Sequence, residues 1–281
     1  MKPKIKTGRL LLLFLFAFLS LVWLIPLALT VSISMKETQE YMKSSLLAPP
    51  SNIRFLIPNA TVAWNLSDLG SSFLNSLIYA PVSSSLAVIL ASLAAYSLTK
   101  LKVRGKICLF FLIYSGTVFP FQIYLIPLFV MYTRFNIYDT RLGMLLFYTA
   151  ICIPFCLFVL HNYFTTIPDT IIEAATLDGA SSLRLYFSII FPMSIAPMLA
   201  LMLLQFTWVW NDLLFGLILT KSVNTRPVMV SLMQLSGEAY SIGSIPQRLA
   251  AALIVSVPSF TLFFLLRRYF MTGFRMLSVG K

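Results

Sequence analysis

Two groups of residues in this sequence combine types and spacings that suit chemistry. The first is Glu173, Ala174 and Ala175 with Asp178 and Gly179, inside a polar stretch between two apolar ones. A carboxylate there can pair with a cation on a partner or fix the stretch internally, and the small residues let another backbone approach closely. The second is a scatter of polar and aromatic residues within apolar runs: Gln122, Tyr124, Gln205, Trp208, Trp210, Asn211 and Asp212. Polar groups in such runs are costly and face protein or a water-filled cavity. They suit either solute binding or hydrogen bonding between helices, and the aromatic rings suit stacking or an interfacial belt. Asp212 is also compatible with a solvated position near a membrane surface.

Neither group has a catalytic composition. His161 is the sole histidine, and Cys108, Cys152 and Cys156 lie in apolar runs. The one-turn spacing of Cys152 and Cys156 fits packing, and a Cys/His metal site lacks material. A phosphate-binding loop needs G-x-x-x-x-G-K-[ST]. Gly105-Lys106 lacks the upstream glycine and the following hydroxyl residue, and Gly280-Lys281 ends the sequence. No ATP hydrolysis, cofactor or resident metal is expected on this chain.

The elements that position these residues follow from composition. Of 281 residues, 59% are hydrophobic and 11% charged, with a mean hydropathy of +0.88. A soluble domain carries roughly 25% charged residues, so much of this surface must face lipid. In hydrocarbon only helices and closed barrels satisfy the backbone, and continuous apolar runs of about 20 residues are the helical signature. Six transmembrane helices are expected: Leu10–Met35, Ser71–Thr99, Ile107–Tyr132, Leu142–Phe164, Pro192–Leu219 and Arg248–Leu266. The first run exceeds a signal-peptide core and no small-x-small site follows it closely, so it reads as a retained helix.

Basic residues set the orientation. With both termini cytoplasmic, that side holds 13 of the 21 Lys and Arg, in compact clusters beside the helices. The net charge of +12 is distributed as topology signals and does not point to nucleic acid. The expected organisation is a cytoplasmic N-terminus over 1–9, a six-helix domain over 10–268 with a cytoplasmic loop over 165–192, and a cytoplasmic tail over 269–281.

That loop is longer than a bundle connection needs. Pro168 suits a first helical position and Asp169 the positive helix end. Gly179 suits a C-terminal position with positive φ, and Ser181 or Ser182 suits the cap of a second short helix before Pro192. A helix–turn–helix at the cytoplasmic surface is expected. An amphipathic helix that only seals the bundle is the competing reading.

Glu173-Ala-Ala, Gly179, Ile189 and Pro192 together resemble the EAA loop of ATP-binding-cassette (ABC) importer permeases: E-A-A, three residues, G, nine residues, I, one residue, L-P, with Phe191 in place of the leucine. Pro120–Leu128, Tyr138-Asp-Thr-Arg-Leu-Gly143 and Trp210-Asn-Asp-Leu-Leu-Phe215 resemble segments of the carbohydrate-uptake branch, specifically the maltose-type second permease subunit. The likeness runs from about Ser71 to Arg268. Arg267 stands where glutamine is common, and Gly273–Lys281 departs from the usual ending.

The resemblance implies an all-α membrane protein with the type I ABC importer permease fold, in a bacterial cytoplasmic membrane. It implies that 165–192 is a coupling helix seated on a dimer of cytoplasmic ATPase subunits that bind the ATP. A second homologous permease and an extracytoplasmic solute-binding protein would complete the assembly. The implied cargo is a sugar or oligosaccharide, with glycerol-phosphate or an acidic oligosaccharide as the alternative. A secondary transporter would be expected to show repeated halves and midplane ionisable residues, and a channel would not require the Glu173 loop.

Overall fold

The computed structural model describes the backbone of residues 7–66, 68–237 and 245–278. The described residues are helical throughout, with turns between. The N-terminal half holds α1 (Thr7–Ser34), α2 (Thr38–Lys43), α3 (Leu56–Leu66), α4 (Leu69–Lys100), α5 (Lys106–Tyr114), α6 (Leu125–Arg134) and α7 (Arg141–Thr165). After it come α8 (Asp169–Leu177), α9 (Ser182–Leu185), α10 (Phe191–Met193), α11 (Ile195–Trp210), α12 (Leu214–Leu219), α13 (Val228–Gly237) and α14 (Ile245–Ser278). The chain divides into two compact units, residues 1–69 with 232–256 and residues 70–231 with 257–281.

Four helical segments are long and apolar enough to cross a membrane: Leu10–Ser34, Leu69–Lys100, Arg141–Thr165 and Ile245–Arg267. Two further candidate spans are bent pairs, Lys106–Thr117 with Phe121–Arg134 at 92° and Ser182–Met193 with Ile195–Trp210 at 73°. The expected third helix, continuous from Ile107 to Tyr132, is therefore corrected to a broken one. The expected fifth helix is corrected likewise: it enters from Ser182, bends at Ser194 and gives way to α12 after Trp210. The last helix runs past its apolar stretch, which ends at Arg267, on to Ser278. The N-terminal flank 1–6 and residues 279–281 of the expected tail lie outside the described residues.

Both bends follow one rule. Proline has no N–H, so the carbonyl four residues before it loses its helical partner. For Pro120 that carbonyl is Gly116 O, which accepts instead from Tyr124 Oη at 3.5 Å. For Pro197 it is Met193 O, which accepts from Tyr163 Oη at 2.8 Å. Hydroxyls cover neighbouring carbonyls, Ser115 donating to Leu112 O at 2.7 Å and Thr117 to Tyr114 O at 2.8 Å. A broken helix is tolerated in an apolar setting because such groups re-satisfy the backbone.

The longest helix of the second unit, α4, is inverted relative to a soluble helix. Its buried face is small or polar, with Ser72, Asn75, Ser76, Ala80, Ser83, Ala87, Ala91 and Ala95, and its exposed face carries Leu74, Ile78, Leu86 and Ile89. Small inward residues allow close packing where lipid removes the hydrophobic drive between helices. The polar members fasten the segment from 222 to 231. Asn75 Nδ2 donates to Val223 O and Arg226 O, Tyr79 Oη to Thr225 O at 2.8 Å, and Ser76 Oγ accepts from Val228 N at 2.9 Å.

Candidate functional site

The loop after α7 has the expected helix–turn–helix form. Pro168 sits one position before α8 rather than within it, and Asp169 opens the helix. Gly179 takes φ +79°. Its N–H donates to Thr176 O and that of Ala180 to Ala175 O, both at 3.0 Å. This double bond pattern closes a helix through a left-handed residue, where glycine avoids the penalty of a Cβ. Ser181 then caps α9, accepting from Arg184 N at 3.4 Å, and the chain continues through a π-type turn at Tyr186–Ile190 into α10.

One face of α8 is anchored and the other is free. Ile171, Ile172 and Ala175 pack on a core built from Ala95, Leu98, Leu160, Phe164 and the loop's own Ile167, Leu185, Tyr186 and Ile190. Lys100, its side chain 4% exposed, ties the start of α8 down, with Nζ at 2.6 Å from both Ile167 O and Asp169 Oδ1. That ammonium holds the Asp169 carboxyl below the usual carboxylate range. Tyr96 Oη donates to Ser182 O at 3.0 Å, and Ser92 shares a short hydrogen bond with Tyr186 Oη. Glu173, Ala174, Asp178 and Gly179 are exposed, whereas Ala175 is half-buried. Leu177, absent from the sequence expectation, is 89% exposed beside them. Its outward direction follows from the orientation of α8, which spacing alone does not give.

The intramembrane candidates separate into two groups. Gln205, 7% exposed, lines a cavity of about 410 Å³ with Thr117, Phe121, Phe155 and Trp208. Trp208 is half-buried there, its ring centroid 5.9 Å from that of Phe121. Gln122 is exposed next to this lining, on the turn after the first bend.

The other residues are held by the protein itself. Tyr124 repairs the break at Pro120. Trp210 is 1% exposed, stacked on Phe206 and edge-on to Phe73. Asn211 donates to Thr207 O at 2.7 Å on the closing turn of α11. The solvated position considered for Asp212 is corrected. This carboxylate is buried, accepting from Tyr148 Oη at 2.8 Å and Gly216 N at 3.0 Å. A carboxylate before a helix satisfies its free amides, and the hydroxyl shares its charge.

At the junction of α6 and α7, Asp139 has φ +54° and accepts from Lys221 N at 2.9 Å, Ser222 N at 3.0 Å and the Thr225 hydroxyl. Thr140 caps α7 by accepting from Gly143 N at 3.0 Å. A Cβ on Gly143 would lie 2.3 Å from Ile137 O, which leaves room for glycine alone. The run Tyr138–Gly143 is thus a structural latch.

Residues 87–276 match the family described as the binding-protein-dependent transport system inner membrane component. Among curated relatives, the osmoprotective compounds uptake permease protein GgtD of Synechocystis sp. is 34% identical over 78% of this chain and 74% of its own. The melibiose/raffinose/stachyose import permease protein MelC of Bacillus subtilis is 29% identical over 89% of this chain and 88% of its own. The diacetylchitobiose uptake system permease protein NgcG of Streptomyces coelicolor is 31% identical over 69% of this chain and 64% of its own. In fold, a chain of a bacterial ABC transporter involved in import of the acidic polysaccharide alginate superposes with a TM-score of 0.82, covering 96% of this chain and 99% of that one at 20% identity. The chain belongs to the binding-protein-dependent transport system inner membrane components, the permeases of ABC importers.

Proposed function

We propose that this permease moves a sugar or oligosaccharide into a bacterial cell, driven through α8 by separate ATPase subunits. The observation that carries the coupling role is the division of α8 into an anchored face and a free one. Glu173, Ala174, Leu177, Asp178 and Gly179 present a small, partly acidic and partly apolar surface, while Ile171, Ile172 and Ala175 are embedded in the bundle core. A partner that grips the free face moves the core with it, since packed interfaces shift as rigid bodies. In this reading the loop and both termini are cytoplasmic, and the ATP is bound by a dimer of partner subunits. A second permease and an extracytoplasmic binding protein complete the importer.

Relatives named for oligosaccharide uptake support the cargo class. The cavity at Gln205 suits it chemically. The Gln205 amide carries both a donor and an acceptor group, and a hydroxyl-rich solute can match both. Trp208 and Phe121 add aromatic faces on which the apolar side of a sugar ring stacks. Trp210, Tyr124, Asn211 and Asp212 act by holding α11, α12 and the bend at Pro120 in place.

The test is co-purification of the chain with tagged ATPase, followed by ATP hydrolysis in vesicles with a panel of neutral and acidic oligosaccharides and glycerol-phosphate. Stimulation by a neutral oligosaccharide is expected. Stimulation by acidic cargo alone would replace the cargo class, and failure to recover any ATPase would sink the coupling reading.

A further inference from the structure

Between α4 and α5 the chain carries Lys100, Lys102, Arg104 and Lys106 within seven residues. Among the described residues only Lys100 has an acidic partner, Asp169 at 2.6 Å. Lys102, Arg104 and Lys106 form no such ion pair and add positive charge to this end of the bundle. Beside them a cleft of about 370 Å³ opens between the ends of α4, α5 and α7, lined in part by Thr99, Lys106, Ile107, Phe110, Phe111 and His161.

The cleft has two chemistries at once. Lys106 is the first residue of α5, where unpaired amides and the helix dipole add to its attraction for an anion. Ile107 and Phe111, 68% and 60% exposed, form an outward apolar wall immediately below it. The His161 ring lies 4.4 Å from Phe110, and its Nδ1 is buried with no hydrogen-bond partner. A soluble anion would use the cation and leave the wall uncovered. A molecule with a charged head and a hydrocarbon chain fits both.

We propose that this cleft binds an anionic phospholipid, its phosphate on Lys106 and the first turn of α5, its acyl chain along Ile107 and Phe111. Lys102 and Arg104 favour the anionic headgroup over a zwitterionic one by adding attraction at the membrane surface. Thr99, whose hydroxyl oxygen can still accept, lines the same cleft beside the glycerol region.

The test is lipid binding to the full chain with its partner subunits, by native mass spectrometry in detergent. Titrations use dioleoylphosphatidylglycerol, dioleoylphosphatidylcholine and inorganic phosphate as a competitor. Preferential binding of phosphatidylglycerol is expected, weakened about fivefold by Lys106→Gln, the effect of one cation near the surface. Lys106→Arg should retain the preference, as should Lys43→Gln on α2. Equal binding of the two lipids by the unaltered chain would overturn the site without recourse to any variant. An unchanged preference in Lys106→Gln would do the same, and displacement of lipid by inorganic phosphate would assign the site to a soluble anion.

Discussion

Gly179 allows the role of the coupling loop to be separated from its folding. A Cβ built on this residue meets nothing within 4 Å, yet φ is +79°. A Cβ is therefore sterically free within this subunit and pays only for the left-handed backbone. For alanine that penalty is ~1–2 kcal/mol, enough to reduce the population of the native turn by about fivefold to thirtyfold. Asparagine and aspartate both tolerate this conformation and are nearly isosteric. Gly179→Asn and Gly179→Asp should therefore preserve the turn about equally, as read by amide exchange at Thr176–Ser181. They differ in what a partner would meet: a neutral amide, or a second carboxylate beside Asp178. Uptake and cargo-stimulated ATP hydrolysis should fall in both and further in Gly179→Asp, although each variant inserts and keeps its turn. Normal uptake by Gly179→Asp would refute the idea that a partner packs here. Equal losses in Gly179→Ala and Gly179→Asp, tracking turn stability, would show that backbone shape alone matters.

Other expectations follow from contacts at the loop's root and at the opposite junction. Lys100→Met removes the bonds to Ile167 O and Asp169, so amide exchange across 167–177 should accelerate and transport should fall, with Lys100→Arg restoring part of both. Gly143→Ala brings a methyl group to 2.3 Å from Ile137 O; overpacking of this kind costs ~1–3 kcal/mol and should lower the thermal midpoint of the purified protein. Partial burial alone would raise the pKa of Asp139, but the hydrogen bonds from Thr225, Lys221 and Ser222 prevail and hold it below the usual carboxylate range. Its contribution to stability is thus present above the unfolded-state pKa and is lost as pH falls through the folded value. Asp139→Asn should lower the midpoint at neutral pH and flatten its acid-side decline, and an identical decline in the variant would contradict the assignment.

Much of the architecture is legible from hydropathy, because a continuous run such as Leu142–Phe164 has few ways to satisfy its backbone in lipid except as one helix. Breaks are harder to read. Pro26, Pro81, Pro154 and Pro258 lie inside continuous helices, whereas the chain bends at Pro120 and beside Pro197. Proline alone does not distinguish them. The difference lies in the hydroxyls of Tyr124 and Tyr163, which donate to the orphaned carbonyls. The loop was more transparent than the membrane polar residues for a similar reason. Gly179 and Ser181 act through local backbone geometry, which spacing encodes. Asp212 acts through Tyr148, 64 positions away, and Trp210 through Phe73, so their roles emerge only on folding. Leu177 shows the converse: an apolar residue on a short helix, whose outward direction depends on how Ile171 and Ile172 seat that helix.

The rooting of the loop also bears on how such permeases can be recombined. Ile167, Leu185, Tyr186 and Ile190 belong at once to the loop and to the bundle core, and Ser92, Tyr96 and Lys100 on α4 complete their setting. The segment is not a detachable module. A chimera that exchanges residues 168–180 alone changes only the outward face and should remain compatible with its host. One that exchanges the whole of 165–192 imports half of a packing interface, and would need the matching stripe of α4 transplanted with it.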